Sequence, residues 1–198
     1  MPQPEQKSRR HIESFTREAV DWEPYLEPVD LASATPEQLR AMQVTPSNQK
    51  ISAYVLTLAH DPQSLEHRSP LYNAIMYASG GLPRQDRELA ALGTSLVNRC
   101  IYCAAIHSSR FVGLTKEGEL ADAILEGATS TQLNPRRAAI LNFAERLSQT
   151  PSEATEDDVS TLRNVGLTDL EILDLIHSVA IFGWANRLMH TLGRAVEE

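Results

Sequence analysis

The only two cysteines of this chain, Cys100 and Cys103, stand three residues apart in the stretch ELAALGTSLVNRCIYCAAIH, which runs from Glu88 to His107. On a helix advancing about 100° per residue, Cys100, Cys103 and His107 fall within an arc of roughly 60°. Cys103 and His107 are then neighbours one turn apart, close enough for the imidazole to exchange a proton with the thiol. The Cα atoms of Cys100 and Cys103 would lie about 5 Å apart, inside the window for an unstrained disulfide. Two thiols and a base on one helical face are the parts of a redox or nucleophilic centre.

In one continuous helix Glu88 would sit about 18 Å from Cys100, too far to matter. A reversal at Asn98–Cys100 instead brings it back beside the second helix, within about one turn of the depth of His107. Its carboxylate could there accept the ring N–H of His107 and fix the imidazole tautomer. Asn98, Arg99 and Cys100 suit such a corner, with Asn98 as turn residue or helix N-cap. Both cysteines then occupy the first turn of the new helix, where free N–H groups and the dipole are expected to lower a thiol's pKa.

The pattern Glu88, Cys100-Ile-Tyr-Cys103 and, after three intervening residues, His107 resembles the signature of AhpD-type alkyl hydroperoxidases, within the carboxymuconolactone decarboxylase-like superfamily. The resemblance implies an all-α, AhpD-like helical fold and an oligomeric thiol-dependent peroxidase. It also implies that Cys103 attacks peroxide, that Cys100 is its proton donor and disulfide partner, and that Glu88 and His107 form the proton relay. Hydroperoxide is then the substrate, and a dithiol reductant, either a small redox protein or a lipoyl group, is the partner. No metal, flavin or haem is required. Tyr102 stands where many such enzymes carry His, and a tyrosine is no base near neutral pH. Chain length and flanking segments look like the superfamily's peroxidase-related members.

Other readings of the same residues stay open. Zinc could take Cys100, Cys103, His107 and Glu88, although ligands spread over two turns of one helix close a tetrahedron awkwardly. A thioredoxin-like centre needs a βαβ setting, and a c-type haem needs His where Ala104 follows Cys103. A decarboxylase-like reaction on the same fold would leave the thiols incidental. A redox-sensing or scaffold helical oligomer would switch on its disulfide without turnover.

The chain has 198 residues, a formal net charge of −8 and paired arginines only at Arg9-Arg10 and Arg136-Arg137. Nucleic acid and anionic membranes are therefore not expected partners. No apolar run approaches the roughly twenty residues of a membrane span. The opening MPQPEQKSRRHIESF lacks the apolar core of a secretory signal, and the single Cys-x-x-Cys pair fits a reducing cytoplasm.

Residues 1–30 read as a polar N-terminal arm anchored by Trp22, Tyr25 and Leu26, and residues 31–198 as one helical domain with the active-site hairpin at 83–113. Helix starts are marked at Thr35-Pro36, near Pro46-Ser47, at Pro62, Thr115, Asn134-Pro135, Thr155 and Thr168. The second arm of the hairpin is expected to end near Gly113. EILDLIHSVAIFGWANRLMHTLG is apolar on most faces and reads as a hairpin or broken helix near Gly183, with His177 a core histidine. Self-association is expected on that account. Nowhere does an alternating strand pattern stand out. At an offset of 83 residues Glu88 falls on Glu171, His107 on His190, and Cys100 and Cys103 on Gly183 and Asn186. That offset reads either as a degenerate helical repeat without the thiols or as coincidence.

Overall fold

A computed structural model describes residues 9–43, 51–127 and 133–197. In chain order these form β1 (Val20–Pro24), α1 (Pro36–Ala41), α2 (Ala53–Leu58), α3 (Pro62–Tyr77), α4 (Arg84–Val97), α5 (Ile101–Thr115), α6 (Gly118–Leu125), α7 (Pro135–Ser148), α8 (Glu156–Asn164), α9 (Asp169–Leu192) and β2 (Gly193–Glu197). The fold is all-α apart from one two-stranded sheet.

Capping chemistry sets most of the starts. Thr35 and Gln38 form a reciprocal capping box ahead of α1, with Pro36 at the first helical position,. Ser52 caps α2; the Pro46-Ser47 start read from the sequence lies outside the described residues. Asp61 and Asn134 accept backbone N–H groups ahead of α3 and α7. Asp158 and Glu171 reach back to the N–H groups of Thr155 and Thr168, each at 2.7 Å. Thr115 is the exception: α5 runs past Gly113 and ends on it, and its hydroxyl donates back to the Phe111 carbonyl at 2.9 Å. Lys116, in the left-handed region, makes the break to α6.

Helix α4 is the hub, packed against α5, α7 and α9. Leu89, Ala90, Ala91 and Leu92 are fully buried, and Leu92, Phe111, Ile140, Leu141, Phe143, Leu162, Leu175 and Val179 belong to the main core. At Gly93 an added Cβ would stand 2.9 Å from Leu141 Cδ1 and 3.3 Å from Ala144 Cβ, so the missing side chain sets how closely α7 approaches. A polar strap holds the N-terminal end of α4. Buried Arg87 donates to the Ala78 and Gly80 carbonyls and to Asp174 on α9, at 3.1, 2.8 and 3.0 Å.

Several readings are corrected. Helix α9 is unbroken through Gly183. One glycine costs a helix about 1 kcal/mol, and Ile172, Leu175, Val179, Phe182, Ala185 and Met189, spread along its length, are all buried. At the 83-residue offset the α4–Cys100–α5 hairpin therefore lies opposite a single continuous helix. His177 on that helix is exposed rather than in the core.

A further correction is the sheet: β1 pairs antiparallel with β2, Val20 opposite Glu197 and Pro24 opposite Gly193. Of the three expected anchors only Trp22 is buried, its indole N–H donating to the Met189 carbonyl at 3.3 Å; Tyr25 and Leu26 are exposed. Trp22 thus fastens the N-terminal segment beside the cysteines. Among the described residues, no helix is long and apolar enough to cross a membrane.

Candidate active site

The reversal falls where the sequence places it. Asn98 closes α4 as its C-cap rather than opening the next helix, Arg99 takes the left-handed conformation (φ 54°), and Cys100 is the N-cap of α5. The turn sets α4 and α5 side by side, with Glu88 opposite His107. His107 Nδ1 lies 2.5 Å from Glu88 Oε2, both side chains almost completely buried. The other carboxylate oxygen accepts from Arg84, one turn earlier on α4, through Nε at 2.7 Å and through Nη2.

The two thiols are free and buried, with sulfurs 2.6 Å apart. Asn98 donates to Asn186 Oδ1 at 3.2 Å, and Asn186 donates to Ser95 Oγ at 3.3 Å. The fully buried Asn186 amide also favours the thiolate of each cysteine. Phe182 packs edge-on to the imidazole, with centroids 4.1 Å apart.

Burial and charge act differently on each group. Burial pushes the Glu88 carboxyl up, but His107, Arg84 and Arg110 together hold it below the ordinary carboxylate value. Burial pushes His107 below the ordinary imidazole value, against the pull of Glu88. The pair at neutral pH is a carboxylate accepting Nδ1–H from a neutral ring, which leaves Nε2 as a free base. The expectation that both thiols become acidic is half corrected. Cys100 is lowered, chiefly by its hydrogen bond with Cys103. Cys103 is raised well above an ordinary thiol, first by burial and then by Cys100. The helix N-terminus does not offset the loss of water around Cys103, so ionising it calls for a base.

The two sulfurs open on different cavities. Cys103 and His107 line one of about 170 Å³, walled by Tyr54, Arg68, Tyr72, Arg110 and Phe182. Cys100 lines another of about 410 Å³, with Trp22, Arg99, His190 and Arg194. Tyr102 borders both. The zinc reading loses its ligand set, because both Glu88 oxygens are engaged by His107 and Arg84. No three His, Cys, Asp or Glu side chains among the described residues converge as a metal site.

Residues 62–146, from α3 into α7 and including all four of these side chains, match the carboxymuconolactone decarboxylase family. A peroxidase-related protein of Ralstonia eutropha JMP134, described as an alkylhydroperoxidase AhpD core, superposes with a TM-score of 0.75 at 28% identity, over 85% of this chain and 90% of that one. The chain is similar to the AhpD/carboxymuconolactone decarboxylase-like superfamily and shares its fold. A peroxidase-related protein from Silicibacter sp. TM1040 (TM-score 0.71, 23% identity, 85% and 91% covered) has the same fold. So does the debrominase Bmp8 (TM-score 0.71, 20% identity, 85% and 90% covered). No curated protein sequence matches.

Within this AhpD-like chain, several residues that complete the site carry no local signal. Asn186 and Phe182 come from α9, Tyr54 from α2, Arg68 and Tyr72 from α3. Arg110 sits one turn beyond His107 on α5, where the spacing that linked Cys103 to His107 could have found it. Arg187, beside Asn186, turns away to the Gly183 carbonyl and Thr150.

Proposed function

We propose that this AhpD-like protein is a thiol peroxidase. The observation that carries the reading is that Cys103 and the free face of His107 share a small cavity while Cys100 touches Cys103 from behind. His107 Nε2 takes the Cys103 proton, directly or through water, and the thiolate attacks the terminal peroxide oxygen. The O–O bond breaks, Cys103 becomes a sulfenic acid, and the alkoxide leaves as alcohol with the proton held by His107. The Cys100 thiol then displaces hydroxide from the sulfenic sulfur, forming the Cys100–Cys103 disulfide and water. A dithiol reductant returns both thiols and is itself oxidised to a disulfide. The second cavity, bordered by Cys100 and not by His107, supports entry of that reductant from the opposite side.

Thiol labelling read by mass spectrometry before and after one equivalent of hydroperoxide tests the order of the cysteines. The parent should lose both thiols, and Cys100→Ser should accumulate sulfenic acid at Cys103. Thiols that stay reduced in the parent would overturn the reading in favour of a decarboxylase-like or scaffold role.

Self-association belongs to the same proposal. Leu71 on α3 and Trp184 on α9 are 57% and 43% exposed and flank one apolar groove with Ile75 and Ile181,. Light scattering should give a multiple of the chain mass, reduced to one chain by Leu71→Glu with Trp184→Lys. A monomeric parent would count against it.

A further inference from the structure

The cavity in front of Cys103 holds two polar groups that nothing among the described residues satisfies. Tyr54 is 8% exposed, and its hydroxyl is buried with no hydrogen-bond partner among the described residues; the same holds for Arg68 Nε. Both line the cavity, from α2 and α3, facing the hairpin that carries Cys103 and His107. Burial raises the Tyr54 phenol, so it stays protonated and offers a donor; Arg68 can only donate. A buried donor without an acceptor is costly, more so for a charged one.

The charge is also one-sided. The cavity wall contains two guanidiniums, Arg68 and Arg110, and no carboxylate, in a chain of net charge −8. Arg110 is engaged by the Tyr72 hydroxyl and faces Glu88. Among the described residues no carboxylate pairs with Arg68; its guanidinium lies over the Tyr72 ring at 4.6 Å and the Tyr54 ring at 5.9 Å. Those rings hold the guanidinium in place and leave its polar edge free.

We propose that this cavity binds a small carboxylate-bearing molecule, its anionic oxygens received by Arg68 and the Tyr54 hydroxyl and its reactive end directed at Cys103. A space of about 170 Å³ holds about six water-sized volumes, which suits a short or single-ring acid. On the peroxidase reading, from which this follows, the preferred oxidant is a small organic hydroperoxide carrying a carboxylate.

Calorimetric titration of the reduced full chain with benzoate and with neutral benzamide tests the site without any peroxide chemistry. Benzoate should bind at least about tenfold more tightly than benzamide, the scale of a charge-assisted hydrogen bond. Arg68→Met and Tyr54→Phe should each weaken benzoate severalfold or more. Tyr54→Phe keeps the ring and its edge contact with Trp22, so it serves where Arg68→Met disturbs packing. Equal affinity for benzoate and benzamide, or benzoate binding unchanged in both variants, would overturn the proposal. In a parallel assay benzoate should compete with cumene hydroperoxide. Benzoate binding without peroxide consumption would refute the peroxidase reading and leave the anion site standing; peroxide consumption indifferent to benzoate would refute the anion site alone.

Discussion

Cys103→Ser should bring peroxide consumption, measured with a dithiol such as dithiothreitol as reductant, down to the uncatalysed background. A loss of about three orders of magnitude or more is expected, the scale on which removing a covalent nucleophile acts. Serine keeps the size of the side chain but supplies no thiolate, and its oxygen cannot accept oxidation in the way sulfur does. Cys100 cannot substitute. It lies on the other side of Cys103, borders the second cavity, and does not share a wall with His107. The variant should fold like the parent, because Cys103 packs with Trp22, Tyr54 and Met189 rather than in the main core around α4. Cys100→Ser, by contrast, should complete the first oxidation once and then stall. Undiminished turnover in Cys103→Ser would sink the assignment of the nucleophile, and the anion-binding cavity would then need another reaction.

How much of this site could be read from the residues follows from which contacts are local. The hairpin was legible because its parts lie within twenty residues: Asn98 and Arg99 form the corner, and helical spacing delivers Cys100, Cys103 and His107 to one face. Capping boxes at Thr35, Thr155 and Thr168 were legible for the same reason, since each bond spans three residues. The sheet was not. Its pairing joins Val20 to Glu197, and neither VDWEP nor GRAVE alternates strongly enough to announce a strand alone. Continuity through Gly183 was hidden because helical propensity disfavours glycine while tertiary packing along α9 outweighs it. The far wall of the site was hidden for a related reason. Tyr54, Arg68, Phe182 and Asn186 become neighbours of the thiols only when α2, α3 and α9 close over the hairpin. The low acidity of Cys103 is not legible in the sequence, because a helix N-terminus is a sequence-level feature, whereas burial, which dominates here, is not.

The second large effect should appear in the pH profile of His107→Gln. In the parent, Cys103 is a poorly acidic thiol beside a weakly basic imidazole. Base-assisted attack should therefore run at a nearly constant rate between the two pKa values, climbing only when alkaline pH ionises the thiol directly. On acidification the rate should fall only below the ordinary imidazole range, because burial has moved His107 down and it keeps its lone pair longer. Stability has the same sign. His107 and Glu88 both bind protons less readily folded than unfolded. Their contributions are present above the unfolded pKa values and are lost as pH falls through the folded ones, so the rate must be read where the fold persists. His107→Gln should remove the plateau, lowering the second-order rate of Cys103 oxidation at neutral pH by about 10²- to 10⁴-fold while leaving the alkaline limb. Glu88→Gln should act in the same direction more weakly, since it removes the carboxylate that orients the ring but leaves the base. Stopped-flow oxidation followed by thiol labelling across the pH range measures both variants. A His107→Gln profile that overlays the parent would mean that water, not the imidazole, takes the proton, and that the buried Glu88–His107 pair only joins α4 to α5.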